Sequence, residues 1–194
     1  MTTSAYLAGR FKWARPQAVL FADDPGVLDN GTYIPQGTER EDFLILSDHN
    51  RSTLDFGFER IEDRRRMLNG TMRSYFVADK LKMSTSWDML PSRSFSGDPT
   101  FNSSGIQTGQ VTQYTVDGGA GGVELVDWYR DHPGSFYMFL SYDKYSNFES
   151  DRYNKLTKYA DVVCVMFESF SYSVQKRGAT NHDLWNISLS VVEV

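Results

Sequence analysis

Three groups of residues carry side chains or backbone suited to chemistry, and spacing decides what each can do. Gly118, Gly119, Gly121 and Gly122 form a glycine-rich loop ahead of a predicted helix. That is the placement in which backbone N–H groups cradle a phosphate. The loop lacks the Lys-Ser/Thr pair of a P-loop and the G-x-G-x-x-G spacing of a dinucleotide fold, and no parallel strand-helix pattern surrounds it. It reads instead as a hinge or as close backbone packing. His49, His132 and His182 are dispersed and Cys164 stands alone, which is thin material for the three or four converging ligands of a zinc site. Cys164 lies between Val163 and Val165 and reads as a small buried hydrophobe in a strand, with no basic neighbour in sequence to activate its thiol. No G-x-S-x-G elbow appears, and the acidic residues are too scattered to single out a catalytic pair. The sequence therefore predicts no enzyme, no cofactor and no metal.

The third group is cationic. Arg60, Arg64, Arg65, Arg66 and Arg73 bracket the dipeptide Asn69-Gly70. Such a cluster serves as a solvated tip, as guanidinium forks for carboxylates on another subunit, or as a nucleic-acid contact. The adjacent Glu59, Glu62 and Asp63 weaken the last reading. So does a net charge of -5, because phosphate neutralisation needs an excess of cations. An acidic balance suits a surface past which DNA slides without sticking.

The elements that carry these residues are mostly strands. Trp185, Ile187, Leu189 and Val191 alternate with Asn186, Ser188 and Ser190, the period-2 signature of a half-buried strand. Leu54, Phe56 and Phe58 alternate before Asn69-Gly70. Tyr75, Val77, Leu81, Met83 and Trp87 fall on odd positions after it, with Ser74, Lys80, Lys82, Ser84 and Ser86 on even ones. An Asn-Gly between two alternating runs predicts a hairpin over residues 52–90. Each arm approaches about fifteen residues, or roughly 50 Å, against about five or six residues for an ordinary strand. Arms of that length overhang their own domain.

Shorter strands are predicted over residues 18–21, 42–46, 111–116 and 136–142, and a long one over 160–174 with a bulge near Glu168. Leu125, Trp128 and Tyr129, at i, i+3 and i+4, make one helical stripe, closed by Pro133-Gly134. Residues 1–40 read as an irregular arm and 91–110 as a long loop that orders against a neighbouring subunit or remains an excursion. The whole is expected to be one mainly β, α+β domain: an antiparallel sandwich or partial barrel with one short flanking helix and a projecting hairpin. The mean hydropathy is -0.45 and no apolar run approaches the roughly 20 residues of a spanning helix. The first ten residues lack signal-peptide character, so synthesis in a cytoplasm is the expectation.

The hairpin segment from Arg60 to Arg73, its continuation to Pro91, the closing segment Leu184 to Val194 and the stretch Val123 to Tyr142 together resemble virion tail proteins of tailed bacteriophages, of the tail-tube and baseplate-hub kind. The resemblance implies subunits in rings, hexameric in that family, whose long hairpins join into an inner barrel through which DNA passes without specific binding. It implies other tail or baseplate proteins as partners, residence in the virion tail and synthesis in the host cytoplasm. It makes Arg64, Arg65, Arg66, Arg73, Tyr75, Val77, Leu81, Met83 and Trp87 the expected subunit interface. Lys80 and Lys82 then face the other way, where positive charge on a DNA-facing wall conflicts with sliding. A different tail component, such as a tail-completion or distal-tail protein, is the nearest alternative. A glycan-binding β-sandwich that uses its aromatics as a platform is the alternative from another class.

Overall fold

A computed structural model describes residues 19–29, 32–34, 43–96, 112–140, 161–177 and 182–194. Its strands are β1 (Val19–Ala22), β2 (Val27–Asp29), β3 (Thr32–Ile34), β4 (Phe43–Ile45), β5 (Asp55–Arg66), β6 (Met72–Pro91), β7 (Phe136–Leu140), β8 (Asp161–Lys176) and β9 (Leu184–Glu193). One helix, α1 (Gly122–Asp131), precedes β7. Seven strands make a single antiparallel sheet in the order β4-β1-β7-β8-β9-β6-β5, and β2 and β3 form a separate ribbon. The fold is α+β and mainly β, as the alternation predicts.

The core lies on one face of the sheet, called here the inner face. Phe21, Met83, Trp87, Phe136, Met138, Val165, Ile187, Leu189 and Val191 fill it, and α1 lays Leu125 and Trp128 over them. On the opposite, outer face a smaller cluster of Leu20, Ala22, Ile45 and Phe139 is also buried. Strands β1, β4 and β7 are thus covered on both sides. That is why their sequences, such as VLFA and FYMFL, run apolar instead of alternating.

Helix α1 starts where the Gly121 N–H donates to the Glu124 carboxylate at 2.7 Å, and that carboxylate also accepts from the Ser94 N–H and hydroxyl. It ends at His132, whose ring stacks on Trp128 at 3.8 Å and whose nitrogens lie 2.8 Å from the Trp128 carbonyl and 2.6 Å from Asp23 Oδ1.

Two expectations need correction or refinement. The strand predicted over residues 111–116 does not form: its described part contributes only an isolated bridge between Gln113 and Phe95. Its side chains serve a turn instead, with the Thr115 hydroxyl donating to the Gly119 carbonyl and Asp117 accepting from the Gly119 N–H. The odd-numbered stripe of the hairpin is interrupted. Register slips between Ile61 and Glu62, so that Ile61 faces Ala78 and Glu62 faces Phe76, leaving Val77 as an extra residue. A bulge of this kind reverses which parity faces the core. The bulge predicted near Glu168 is present, between Phe167 and Ser169. The arm over residues 1–18, the segment 35–42, most of the 91–110 loop and the polar stretch 143–160 lie outside the described residues.

Candidate functional site

The hairpin β5–β6 outruns the rest of the sheet. Strand β9 pairs with β6 only from Lys82 to Pro91, so Met72 to Leu81 have β5 alone beside them among the described residues. The pairing with β9 stops where the Glu193 carboxylate accepts the Leu81 N–H at 2.8 Å. Ten residues of β6 therefore project by about 30 Å. On the hairpin two strand edges are open among the described residues, the outer edge of β5 and the edge of β6 from Met72 to Lys80; elsewhere in the sheet β4 is the other edge strand, and β8 from Met166 to Lys176 pairs with β9 alone.

The projecting part exposes apolar side chains on both faces. Phe58 is 73% exposed and Tyr75 74%, and Ile61, Met72, Phe76 and Val77 are each about half exposed or more. Apolar side chains gathered in water in this way make a candidate contact surface. Its charges are largely satisfied locally. Arg60 donates to both oxygens of Asp79, at 2.9 and 3.2 Å, and lies over the Phe76 ring. Arg64 pairs with Glu62, which also accepts from the Ser74 hydroxyl; hydrogen bonds first from Arg64 and then from Ser74 hold the Glu62 carboxyl below its usual range. Arg65 pairs with Asp63 at 2.8 Å. The side chains of Glu59, Arg66 and Arg73 make no ion pair or hydrogen bond among the described residues, and Arg73 stands directly across from Arg65.

The sequence-predicted interface divides. Arg64, Arg65, Arg66, Arg73, Tyr75 and Val77 lie on the projecting part. Leu81, Met83 and Trp87 do not belong to a contact surface: they are 4%, 0% and 1% exposed and form the core of this same chain. The reason is the β9 strand, which backs β6 from Lys82 onward and turns that half of the arm into a central strand. Tyr75 and Trp87, placed together by parity, face opposite sides because of the Val77 bulge.

A feature that sequence parity only partly reveals lies on the outer face. Ser84, Ser190 and Ser169 form one row across β6, β9 and β8; Ser86, Ser188 and Ser171 form the next; Asn186 and Ser173 follow. The alternating serines are visible in each strand, but only register aligns them into a hydroxyl-lined surface. Both lysines on this face are neutralised. Lys82 meets Glu168 at 2.5 Å, and the Ser190 hydroxyl donates to the same carboxylate. These bonds, Lys82 first, hold the Glu168 carboxyl below its usual range. Lys80 reaches the Val194 carbonyl at 2.6 Å and Glu193 at 3.6 Å. Neither lysine of this face is left as a free cation.

The other candidate groups serve the fold. In the glycine-rich loop, the N–H groups of Gly118, Gly119, Ala120 and Gly121 all donate within the chain, to the Thr115 carbonyl, Asp117, the Ile45 carbonyl and Glu124. That leaves no cradle for a phosphate, and two carboxylates already occupy the loop. The glycines are there for close approach: a Cβ on Gly121 would come within 2.6 Å of the Arg93 backbone, and one on Gly122 within 2.8 Å of the Trp185 ring. Cys164 is partly buried in β8. Among the described residues no three His, Cys, Asp or Glu side chains converge as metal ligands.

His49 and His182, far apart in sequence, lie near the Asp117 turn. The Nδ1 of His49 accepts the Val116 N–H at 3.2 Å. Burial lowers its pKa, Asp117 opposes that shift and His182 adds to it, with a net lowering. An imidazole depressed in the folded state binds its proton more weakly there than in the unfolded chain. Stability is therefore fully present above the ordinary histidine range, near pH 6.5, and is lost as pH falls through the folded value. The thermal midpoint is expected to fall between pH 7.5 and pH 5.5, and by less in a His49→Gln variant. An equal fall in both proteins excludes His49 as the cause.

No protein-family model matches the chain, and no curated protein matches its sequence.

Proposed function

We propose that this chain is a structural subunit that self-associates through its projecting hairpin into a ring or tube, as the tail-tube or tube-to-baseplate adaptor proteins of bacteriophages do, forming a conduit for DNA. The observation that carries the reading is the overhang of β5–β6, with open edges and exposed aromatics on a stem anchored in a well-packed core. Long unpaired edges invite pairing with other chains unless a dedicated partner covers them. Head-to-tail contacts that close on themselves cover every edge, and stacked rings extend the closure into a tube. The outer face supports the conduit part of the reading. Where the serines line it, across β6, β9 and β8, the lysines are paired and offer DNA no free cation; Arg73, nearer the tip on the same face, is the unpaired one.

The turn provides the test. Gly70 has φ +82°, and Asn69 Oδ1 accepts from the Thr71 N–H and hydroxyl. Replacing Asn69-Gly70 by Val-Val removes the glycine from a left-handed position and splays the tip. Since the tip touches no core residue, the expected result is an unchanged monomer fold by circular dichroism with loss of rings or tubes in mass photometry and negative stain. Wild-type protein that stays monomeric at every concentration sinks the proposal, as do unchanged tubes from the variant.

A further inference from the structure

The end of the hairpin differs in composition from everything behind it. Between Asp63 and Asp79 the sequence holds four arginines, Arg64, Arg65, Arg66 and Arg73, and no acidic residue, in a chain whose net charge is -5. Beyond the arginines stand Met67, Leu68 and Met72, which are 42%, 111% and 56% exposed. Leu68 lies in the turn itself and is the most exposed large apolar side chain among the described residues. We propose that this tip is a docking element for a lipid bilayer with anionic headgroups. Leu68 and the two methionines enter the boundary of the acyl chains, and the arginines meet the phosphates behind them.

The spacing suits that environment. Arg66 stands across from Met72, and Arg65 across from Arg73. At about 3.3 Å per residue both rows lie within about 10 Å of Leu68. Elements that rest in a membrane interface bury their apolar side chains by about 5–10 Å at the headgroup boundary, with cations held at the level of the phosphates. Alternation sets Arg64 and Arg66 on one face of the ribbon and Arg65 and Arg73 on the other, so the cationic collar is two-sided. Arg64 and Arg65 keep Glu62 and Asp63 as partners, and both acids lie farther from the turn than their arginines. Arg66 and Arg73, whose side chains have no partner among the described residues, carry the uncompensated charge.

The turn is also prepared to leave water. Backbone groups that enter an apolar medium must already have partners. The Met67 N–H donates to the Thr71 carbonyl at 2.8 Å, and the Gly70 N–H to the Met67 carbonyl at 2.9 Å. Asn69 Oδ1 accepts from the Thr71 N–H at 3.1 Å and from its hydroxyl at 2.7 Å. These bonds need no solvent. A nucleic acid would satisfy the arginines but leave Leu68 in water, whereas a bilayer with anionic headgroups receives both kinds of side chain in the order the hairpin presents them. Methionine flanks suit a fluid partner because the unbranched side chain adapts to its surroundings. The proposal goes beyond the self-association above and does not rest on it: strand pairing between copies uses the edges behind the turn and leaves the turn itself free.

Vesicle flotation of the full chain tests this, with liposomes of phosphatidylcholine alone and of phosphatidylcholine with about one third phosphatidylglycerol. Wild-type protein is expected to float with the anionic vesicles, to stay behind with the neutral ones, and to bind less as salt rises. Met67→Ser with Leu68→Ser, and separately Arg66→Gln with Arg73→Gln, should each weaken binding to the anionic vesicles by about tenfold or more. Both pairs lie on the projecting tip, so the thermal midpoint should hardly move. Val116→Ser, at an exposed apolar position on the body, should bind as wild type does. In a Leu68→Trp variant the added indole should emit at shorter wavelength once anionic vesicles are present. Wild-type protein that floats with neither vesicle, or a serine variant that floats undiminished, overturns the proposal; so does binding to a DNA duplex without affinity for vesicles, which assigns the arginines to nucleic acid. Protein that binds vesicles but never assembles overturns self-association and leaves the docking tip standing, and protein that assembles without binding vesicles does the reverse.

Discussion

Trp87→Ala is expected to destabilise the monomer by about 3–5 kcal/mol, a large share of the stability of a domain this size. Trp87 is 1% exposed at the centre of the inner face, between the β9 strand and the β4–β5 connection. Its indole N–H donates to the Ser47 carbonyl at 2.8 Å, so truncation opens a cavity and also strips a buried acceptor of its partner. In urea denaturation the midpoint should fall with little change in slope. The contrast with Phe58→Ser is diagnostic. Phe58 lies on the same hairpin but is mostly in solvent, and its replacement should change monomer stability by no more than about 0.5 kcal/mol while weakening assembly. A Trp87 variant as stable as wild type would mean that the inner-face packing around β6 is wrong, and with it the division of the hairpin into core and overhang.

Asp117→Ala is expected to cost about 3 kcal/mol or more through a different mechanism. The carboxylate is 5% exposed and accepts the Ser47 hydroxyl at 2.7 Å, the Asp48 N–H at 2.8 Å and the Gly119 N–H at 2.9 Å. Removing it leaves these donors facing a cavity, and the penalty of unpaired buried groups exceeds the net worth of the bonds themselves. Gly119→Ala attacks the same junction by steric means, because its new methyl group would fall on the Ser47 backbone. Residues that share one network do not add. The double variant should therefore lose clearly less than the sum of the two single losses in chemical denaturation. Full additivity would show that Asp117 and Gly119 act at separate places.

Both residues sit where the sequence was hardest to read. The loop Gly118 to Gly122 shows in sequence that backbone comes close to something, but not to what. The answer is Ser47, Arg93 and Trp185, three segments brought in from elsewhere in the chain. Asp117 shows in sequence at most its local turn with Gly119, since its other partners, Ser47 and Asp48, lie about seventy residues away. The histidines tell a similar story. Their separation in sequence argued against a metal site, yet His49 and His182 still end up close enough to influence each other.

Alternation along the chain by itself determined that strands dominate, that a long hairpin turns at Asn69-Gly70, that β8 carries a bulge at Glu168 and that one amphipathic helix flanks the sheet. These follow from chain-local physics: a period of two, a turn that needs a left-handed residue, and an apolar stripe at helical spacing. Only the tertiary structure decided which half of the β6 arm is core and which half is surface, because burial depends on where β9 ends. It also decided which face Tyr75 occupies, since one extra residue at Val77 inverts the parity beyond it. The neutralisation of Lys80 and Lys82 was settled at the same level. Their acids, Glu193 and Glu168, arrive from neighbouring strands, and register between strands is a property of the whole sheet that no single stretch of sequence carries.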